Sequence, residues 1–159
     1  YNEFEMLRVA GVRQADLKGY QFSRGDVNAR ALANAYGQTL GQVFTHEMKP
    51  YEVELLVAEV GDPDDDHAEM YHVLYDGVVM DEQDYSVLGG QADQIIESLK
   101  EQFQAGMSLG DALKLGAKVL GSDGASLTAD QLEVALLDRS RPRRAFRRIK
   151  NDELTSLLG

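Results

Sequence analysis

The three histidines, His46, His67 and His72, are the most direct candidates for a general base or a metal ligand. No two of them have the spacing of a helical zinc motif. His67 lies in an aspartate-rich loop, and His46 lies near the end of a helical pattern. His72 alternates with Met70 and Leu74 on a predicted strand, where we expect a hydrogen-bonded core or edge histidine. The histidines therefore predict neither a metal centre nor a catalytic base.

Other catalytic patterns are also missing from the sequence. The chain has no cysteine, which excludes a thiolate nucleophile, a disulfide framework and a cysteine-ligated zinc site. It has no G-x-S-x-G motif. The acidic stretch Asp62–Glu69 lacks the spacing of a calcium loop, and Gly89-Gly90 lacks both a dinucleotide-binding fingerprint and a Walker lysine. We expect no catalytic residue, no bound metal and no cofactor.

Positive charge is concentrated in one place, where six arginines and no acid occur between Arg139 and Ile149. One interpretation is an anion-binding or protein-docking surface. Another is an edge strand whose charge prevents unwanted strand pairing. A net charge of −11 argues against general nucleic-acid binding. A nucleic-acid-binding module would show salt-dependent binding that Arg→Ala changes remove, at Arg143, Arg144, Arg147 and Arg148.

Length and composition set the class of protein. The 159 residues, 43% of them apolar, are enough for one domain with a substantial core, and we assign residues 1–159 to a single domain. No apolar run approaches the roughly 20 residues that span a membrane, and no signal peptide is recognisable. We expect a cytoplasmic protein with neither a membrane nor a nucleic acid as partner.

Two helices are predicted first. Phe4, Leu7 and Gly11 share one side of a helix over Tyr1–Gly19. A capping-box-like sequence at Ser23 precedes a second helix over residues 27–47. Two glycines of that helix, Gly37 and Gly41, are four residues apart and allow another element to approach closely.

The strand that follows Pro50, over Glu52–Val60, is apolar on both faces, so we expect it to lie between two layers. The chain then predicts strands at 70–75 and 78–80, joined by a tight Asp76-Gly77 turn, and a short strand at 85–88. Helices at 92–104 and 109–120, the latter capped by Ser108, precede strands at 132–137 and 144–149, with a turn at Pro142. A last helix begins with Asn151 as its cap.

This order of elements predicts an α+β fold, because antiparallel hairpins are segregated from the helices. Two strands are apolar on both faces, Glu52–Val60 and Leu132–Leu137, and this suggests two stacked sheets with helices outside, an αββα arrangement. About five strands are visible, and two sheets need more, so we expect strands before Tyr1. The start at Tyr1 is compatible with a fragment, a cleavage product or a chosen boundary.

Seven segments of the chain together are typical of one family: Tyr1-Asn-Glu-Phe-Glu-Met-Leu-Arg8, Arg30-Ala-Leu-Ala-Asn-Ala-Tyr-Gly-Gln-Thr-Leu-Gly41, Lys49-Pro-Tyr-Glu-Val-Glu-Leu-Leu-Val-Ala-Glu-Val60, Tyr75-Asp-Gly77, Leu88-Gly-Gly90, Leu132-Glu-Val-Ala-Leu-Leu-Asp138 and Arg141-Pro-Arg-Arg-Ala-Phe-Arg-Arg-Ile149. Through these segments, and over essentially its whole length, the chain resembles the α-type subunits of the 20S proteasome, in particular the actinobacterial form. The resemblance implies the four-layer αββα sandwich of N-terminal-nucleophile hydrolases, incomplete here at its N-terminus.

The resemblance also implies a function. Family α subunits are non-catalytic; they form heptameric rings that cap the catalytic β rings, gate entry and dock an ATPase activator that delivers tagged proteins for degradation. The implied partners are β subunits, neighbouring α subunits and the ATPase, whose docking residues and the gate would precede Tyr1. The first helix would lie at the α–β ring contact, with Phe4, Leu7 and Arg8 as candidate interface residues.

Two alternatives remain open at this point. A β-like threonine hydrolase needs a Thr, Ser or Cys freed at a chain start, whereas this chain begins with Tyr1. The other alternative is a separate binding module that uses the arginine-rich strand.

Overall fold

The computed structural model describes residues 2–64, 66–121, 124–141 and 143–159. The chain divides into two compact units, Tyr1–Ser86 and Val87–Gly159. In both units the strands form antiparallel sheets and the helices are separate from them in sequence, so the predicted α+β class is confirmed. The predicted turn at Pro142 lies outside the described residues.

The first unit is a two-helix layer on a three-stranded sheet of order β1-β2-β3. Its core joins the small side chains and Leu40 of the second helix to the inner face of the sheet, where Leu55, Tyr71 and Val73 are buried. The elements are α1 (Asn2–Gln21), a 3-10 turn (Arg24–Asp26), α2 (Ala29–His46), β1 (Leu55–Val60), β2 (Ala68–Val73) and β3 (Val79–Glu82).

Helix α2 begins later than the sequence predicts, and its cap is Asn28 rather than Ser23. The Asn28 side chain accepts a hydrogen bond from the backbone N–H of Ala31 at 2.9 Å. Ser23 precedes the separate 3-10 turn, where its side chain makes no capping bond. Both residues are good cap formers, and the turn between them decides which one starts the long helix.

The β2–β3 hairpin has a three-residue loop instead of the predicted two-residue turn. Leu74 N–H bonds to the Val78 carbonyl at 2.9 Å, which leaves residues 75–77 in the loop. Gly77 occupies the left-handed region with φ 91°, the conformation that closes such a loop. This loop lies directly on α2 at Gly37 and Gly41, which confirms that the two glycines admit a close neighbour.

Strand β1 differs from its prediction in length and in burial. It begins at Leu55 rather than Glu52, and only one of its faces is covered by helix α2. Leu55 and Val57 are buried on that face, whereas Leu56 on the other face is 47% exposed. The expectation of two buried faces is therefore wrong within the described part of this unit. The predicted strand at 85–88 is also wrong, since those residues are irregular and pair with no strand.

The second unit contains three helices and a two-stranded antiparallel ribbon. Ser108 caps its second helix as predicted, because its hydroxyl accepts from Asp111 N–H at 3.1 Å. The last helix has Lys150, not Asn151, at its cap position. The elements are α3 (Ala92–Gln102), α4 (Leu109–Val119), a 3-10 turn (Ala129–Gln131), β4 (Ala135–Leu137), β5 (Phe146–Arg148) and α5 (Asn151–Leu158).

Both ribbon strands are shorter than predicted. The 3-10 turn holds Leu132 by a bond from its N–H to the Ala129 carbonyl at 3.4 Å, so the ladder cannot start there. The register pairs Ala135 with Arg148 and Leu137 with Phe146. Leu154 on α5 is fully buried, and α5 packs against α4.

Candidate functional site

One side of helix α1 is fixed against α2 by a very close contact. A Cβ atom placed on Gly11 would overlap the hydroxyl of Tyr36 and lie 2.6 Å from its ring carbon Cζ. The Tyr36 hydroxyl donates a hydrogen bond to the Leu7 carbonyl at 2.9 Å. Burial raises the pKa of Tyr36, which keeps the hydroxyl protonated as a donor. Gly11 is therefore needed for space, and this contact sets which side of α1 faces outward.

The outward side of α1 carries a second apolar surface. At 100° per residue, Val9 lies roughly 180° around the helix from the Leu7–Gly11 side. A shallow groove of about 600 Å³ runs along this side and is lined by Asn2, Glu5, Met6, Val9, Ala10 and Arg13. Met6 in the groove is 60% exposed. A helix that is apolar on two opposite sides normally has both sides covered, so this surface suits a macromolecular contact.

The three predicted interface residues have different environments. Phe4 is 45% exposed and Arg8 is exposed on the same flank, whereas Leu7 is only 4% exposed and packs into the core. Arg8 Nε donates to Glu5 Oε2 at 2.9 Å, and this hydrogen bond lowers the pKa of Glu5. The structure thus leaves Phe4 and Arg8 available at the surface and uses Leu7 to hold the helix.

Sequence reasoning missed the outward groove, although its signal is present. Met6, Val9, Ala10 and Arg13 have the spacing i, i+3, i+4 and i+7 of a single helical face. The stripe through Phe4, Leu7 and Gly11 predicts only the side of the helix that faces α2. Two apolar stripes on opposite sides of one helix are the pattern that indicates such a groove.

The histidines are placed as structural residues. His72 is 7% exposed; its Nε2 lies 2.9 Å from Glu54 Oε2 and its Nδ1 lies 3.6 Å from Glu82 Oε1. Glu54 immediately precedes β1 and Glu82 belongs to β3. His72 on β2 therefore links three neighbouring segments of the sheet. The prediction of a hydrogen-bonded core or edge histidine is confirmed.

The other two histidines are exposed. His67 Nε2 lies 3.5 Å from Glu69 Oε1. Thr45 Oγ1 lies 2.7 Å from His46 Nδ1, a distance that a nucleophile–base pair could have. The Thr45 hydroxyl, however, also lies 2.8 Å from the Gly41 carbonyl of its own helix, and among the described residues no carboxylate orients His46. This pair lacks the third group that activates a hydroxyl.

The arginine-rich segment forms the β4–β5 ribbon and its loop. Arg147 makes a two-pronged contact with Glu153, with both N···O distances at 2.9 Å, and this contact lowers the pKa of Glu153. Arg148 Nη1 lies 3.5 Å from Glu133. Arg143 in the loop has a left-handed backbone, with φ 73°. Arg147 and Arg148 are therefore ion-paired within the unit.

A separate cleft of about 420 Å³ lies between α4, the segment 126–130 and α5 in the second unit. Its charged lining consists of Lys114 and Asp130. Among the described residues no group of three metal-binding side chains occurs, here or elsewhere. No described helix is long and apolar enough to cross a membrane.

Comparison with known proteins gives one consistent family. The family model described as "Proteasome subunit" matches residues 10–137. The chain is 54% identical to the proteasome subunit alpha of Geodermatophilus obscurus, over 99% of this chain and 58% of the relative. It is 54% and 56% identical to the corresponding proteins of Kineococcus radiotolerans and Acidothermus cellulolyticus, over 99% of this chain and 70% of each relative.

The chain thus spans between 58% and 70% of the length of these three relatives. The family model runs through both compact units and covers most of the chain. All three relatives are actinobacterial alpha subunits, in agreement with the resemblance seen in the sequence motifs. This chain belongs to the proteasome subunit family, and within that family it is similar to the alpha-type subunits of actinobacteria.

Proposed function

We propose that this chain is a non-catalytic, structural and gating α subunit of a cytoplasmic 20S proteasome core. In this proposal, α subunits form heptameric rings that cap the catalytic β rings and dock an ATPase activator. The observation that carries the proposal is the similarity to proteasome alpha subunits at more than 50% identity over nearly the whole chain. Because the chain spans only part of each relative, the activity and partners of the whole protein belong to the proposal.

The outward side of α1 supports a role in assembly. Met6 exposes 60% of its surface in a groove that no other described element of the first unit fills. Phe4 and Arg8 are exposed on another side of the same helix, about 160° around its axis from Met6. We assign both exposed sides of α1 to the contact with the β ring. Leu7 contributes indirectly, since its burial fixes the rotation of the helix that presents the other two residues.

The open face of the first sheet supports the proposed four-layer sandwich. Leu56 on β1 and Met80 on β3 are exposed on the face opposite α2, where a second sheet would cover them. Burial of apolar surface contributes roughly 25 cal/mol per Å², so a second sheet on this face would stabilise the subunit substantially. The complete subunit is therefore expected to have the layers α, β, β and α.

The experiment is co-expression of the full-length protein with the β subunit of the same organism, followed by native mass spectrometry and a peptidase assay. We expect cylinders that contain both subunits, and peptide hydrolysis that is absent from the α chain alone. If the α chain alone hydrolyses peptides and a threonine-directed inhibitor abolishes this activity, the proposal is contradicted and a β-like hydrolase is favoured. Failure of the chain to enter any ring would also contradict it.

A matched pair of variants tests the assigned surface. Met6→Glu places a charge in the α1 groove, and Leu120→Glu places the same charge on the second unit. The two residues are similarly exposed, Met6 at 60% and Leu120 at 54%. A buried unpaired carboxylate is costly, so Met6→Glu should leave most of the chain outside the cylinders. Leu120→Glu should assemble like the parent. Normal assembly of Met6→Glu would exclude this side of α1 from the β contact.

A further inference from the structure

Charge is distributed very unevenly between the two units. The first unit contains 17 acidic and 6 basic residues, and therefore carries the whole net charge of −11. The second unit contains ten of each sign. Seven of its ten bases fall between residues 139 and 150, a stretch that has no acid. The chain thus presents a concentrated basic segment on one unit and a strongly acidic surface on the other.

The described loop residues of the basic segment, 138–141 and 143–145, are named the arginine hairpin. Asp138 N–H bonds to the Ala145 carbonyl at 2.9 Å and closes it. Arg141 Nη1 donates a hydrogen bond to the backbone carbonyl of Phe146 at 3.4 Å. Arg143 and Arg144 are exposed, and in the part of the chain that the structure describes neither has an ion-pair partner.

The conformation of Arg143 adds a second observation. Its φ of 73° places a non-glycine residue in the left-handed region, which costs conformational energy. A turn that keeps an arginine there, beside a second unpaired arginine, holds two positive charges at the tip of the hairpin. Ion pairing and hydrogen bonding within the unit do not explain this arrangement, because neither side chain has such a partner among the described residues.

An acidic counterpart lies in the turn that follows β1 on the first unit. Gly61 N–H bonds to the His67 carbonyl at 2.7 Å and closes this turn. Asp62 and Asp64 in the turn are exposed, and neither has an ion-pair partner among the described residues. The two turns are complementary in charge, and both present side chains that remain unpaired within their own unit.

We propose that the arginine hairpin of one copy of this chain binds the Asp62–Asp64 turn of a neighbouring copy. The inference rests on the proposed function, since a ring requires contacts between copies. A contact that joins two different surfaces of the same chain is head-to-tail, the kind that closes into a ring. Charge pairs of this sort fix register and speed association more than they add affinity.

Local charge complementarity favours a second copy as the partner. Charges are screened beyond about 8 Å at physiological salt, so the hairpin attracts only what it touches. The acidic turn of a second copy offers carboxylates of opposite charge on a loop, and the net charge of −11 argues against general nucleic-acid binding by the chain.

The experiment measures self-association of the full-length protein by sedimentation velocity across a range of sodium chloride concentrations. The test variant is R143E/R144E. The matched control is K100E/K118E, which changes the net charge equally on α3 and α4. The charge swap R143E/R144E/D62K/D64K restores opposite charges with their positions exchanged.

We expect R143E/R144E to weaken self-association on the order of tenfold or more at physiological salt, with the control unchanged. We expect the charge swap to recover most of the loss and the parent's association to weaken as salt increases. If R143E/R144E self-associates as strongly as the parent, the hairpin inference is overturned and the proposed function still stands. A charge swap that recovers none of the lost self-association has the same meaning. A parent chain that never self-associates, with or without β subunits, would overturn both. Binding of a DNA or RNA oligonucleotide that R143E/R144E abolishes, without any change in self-association, would assign the hairpin to nucleic acid and overturn the inference.

Discussion

The contact between the Gly77 loop and helix α2 makes a quantitative prediction. A Cβ atom on Gly77 would overlap the Gly37 carbonyl oxygen and lie 2.7 Å from Gly41 N and 2.8 Å from Gly41 Cα. All three are backbone atoms, so no side chain can rotate to make room. The φ of 91° adds strain for any residue with a Cβ. Gly77→Ala should therefore cost about 1–2 kcal/mol for the backbone conformation and about 1–3 kcal/mol for the clash.

A control separates these two contributions. Gly106 has a similar φ of 79°, but a Cβ there would meet nothing within 4 Å. Gly106→Ala should show only the conformational cost of about 1–2 kcal/mol. The assay is equilibrium urea unfolding of each variant followed by circular dichroism, with both units monitored. Equal destabilisation by the two substitutions would refute the claim that the hairpin is seated on backbone atoms of α2.

The remaining predictions concern the core, a helix cap and one ion pair, all measured by denaturant unfolding. Leu40→Ala should lower the free energy of unfolding by about 2–5 kcal/mol, because Leu40 is fully buried. Leu56→Ala on the open sheet face should lower it by less than about 1 kcal/mol in the isolated chain. Asn28→Ala should cost about 1 kcal/mol through loss of the α2 cap. The hydrogen bonds from Arg147 lower the pKa of Glu153, so their contribution is present at neutral pH and is lost as pH falls through that lowered pKa. Glu153→Gln should therefore be less stable than the parent at pH 7, and the gap should close in acid; a gap that stays constant with pH would contradict this.

Local sequence signals predicted the helices well and the strands less well. Helix α4 could be placed closely because Ser108 caps it and its apolar residues repeat with helical period. The start of α2 was misplaced because Ser23 and Asn28 are both good caps, and no rule in the sequence ranks them. Strand ends depend on which partner residues are within reach, and that information is not local.

The β1 strand illustrates what the sequence could not supply. Its apolar residues on both faces predict two covering layers, yet in the described unit only the face with Leu55 and Val57 is buried. The apolar pattern indicates which faces of the strand are suited to burial. It does not identify the element that covers each face. The α1 groove was not predicted for a related reason, since Met6 and Val9 belong to a second stripe that no described element of the first unit covers.

The paired environment of His72 was predicted only in outline. An alternating strand pattern indicated a core or edge histidine, whereas the carboxylates that flank it depend on the registers of β2 with its two neighbours. Glu82 reaches the imidazole because the hairpin loop has three residues rather than two. A change of one residue in the register moves every side chain of β3 to the other face.

We propose that the outward side of α1 is an assembly surface of a ring-forming subunit. An electron cryo-microscopy reconstruction of the complex obtained by co-expression with the β subunit tests this most directly. We expect this chain to form the outer rings and a β subunit to cover the groove at Met6, Val9 and Arg13. A fully occupied particle in which that groove faces solvent, or in which this chain occupies the catalytic rings, would contradict it.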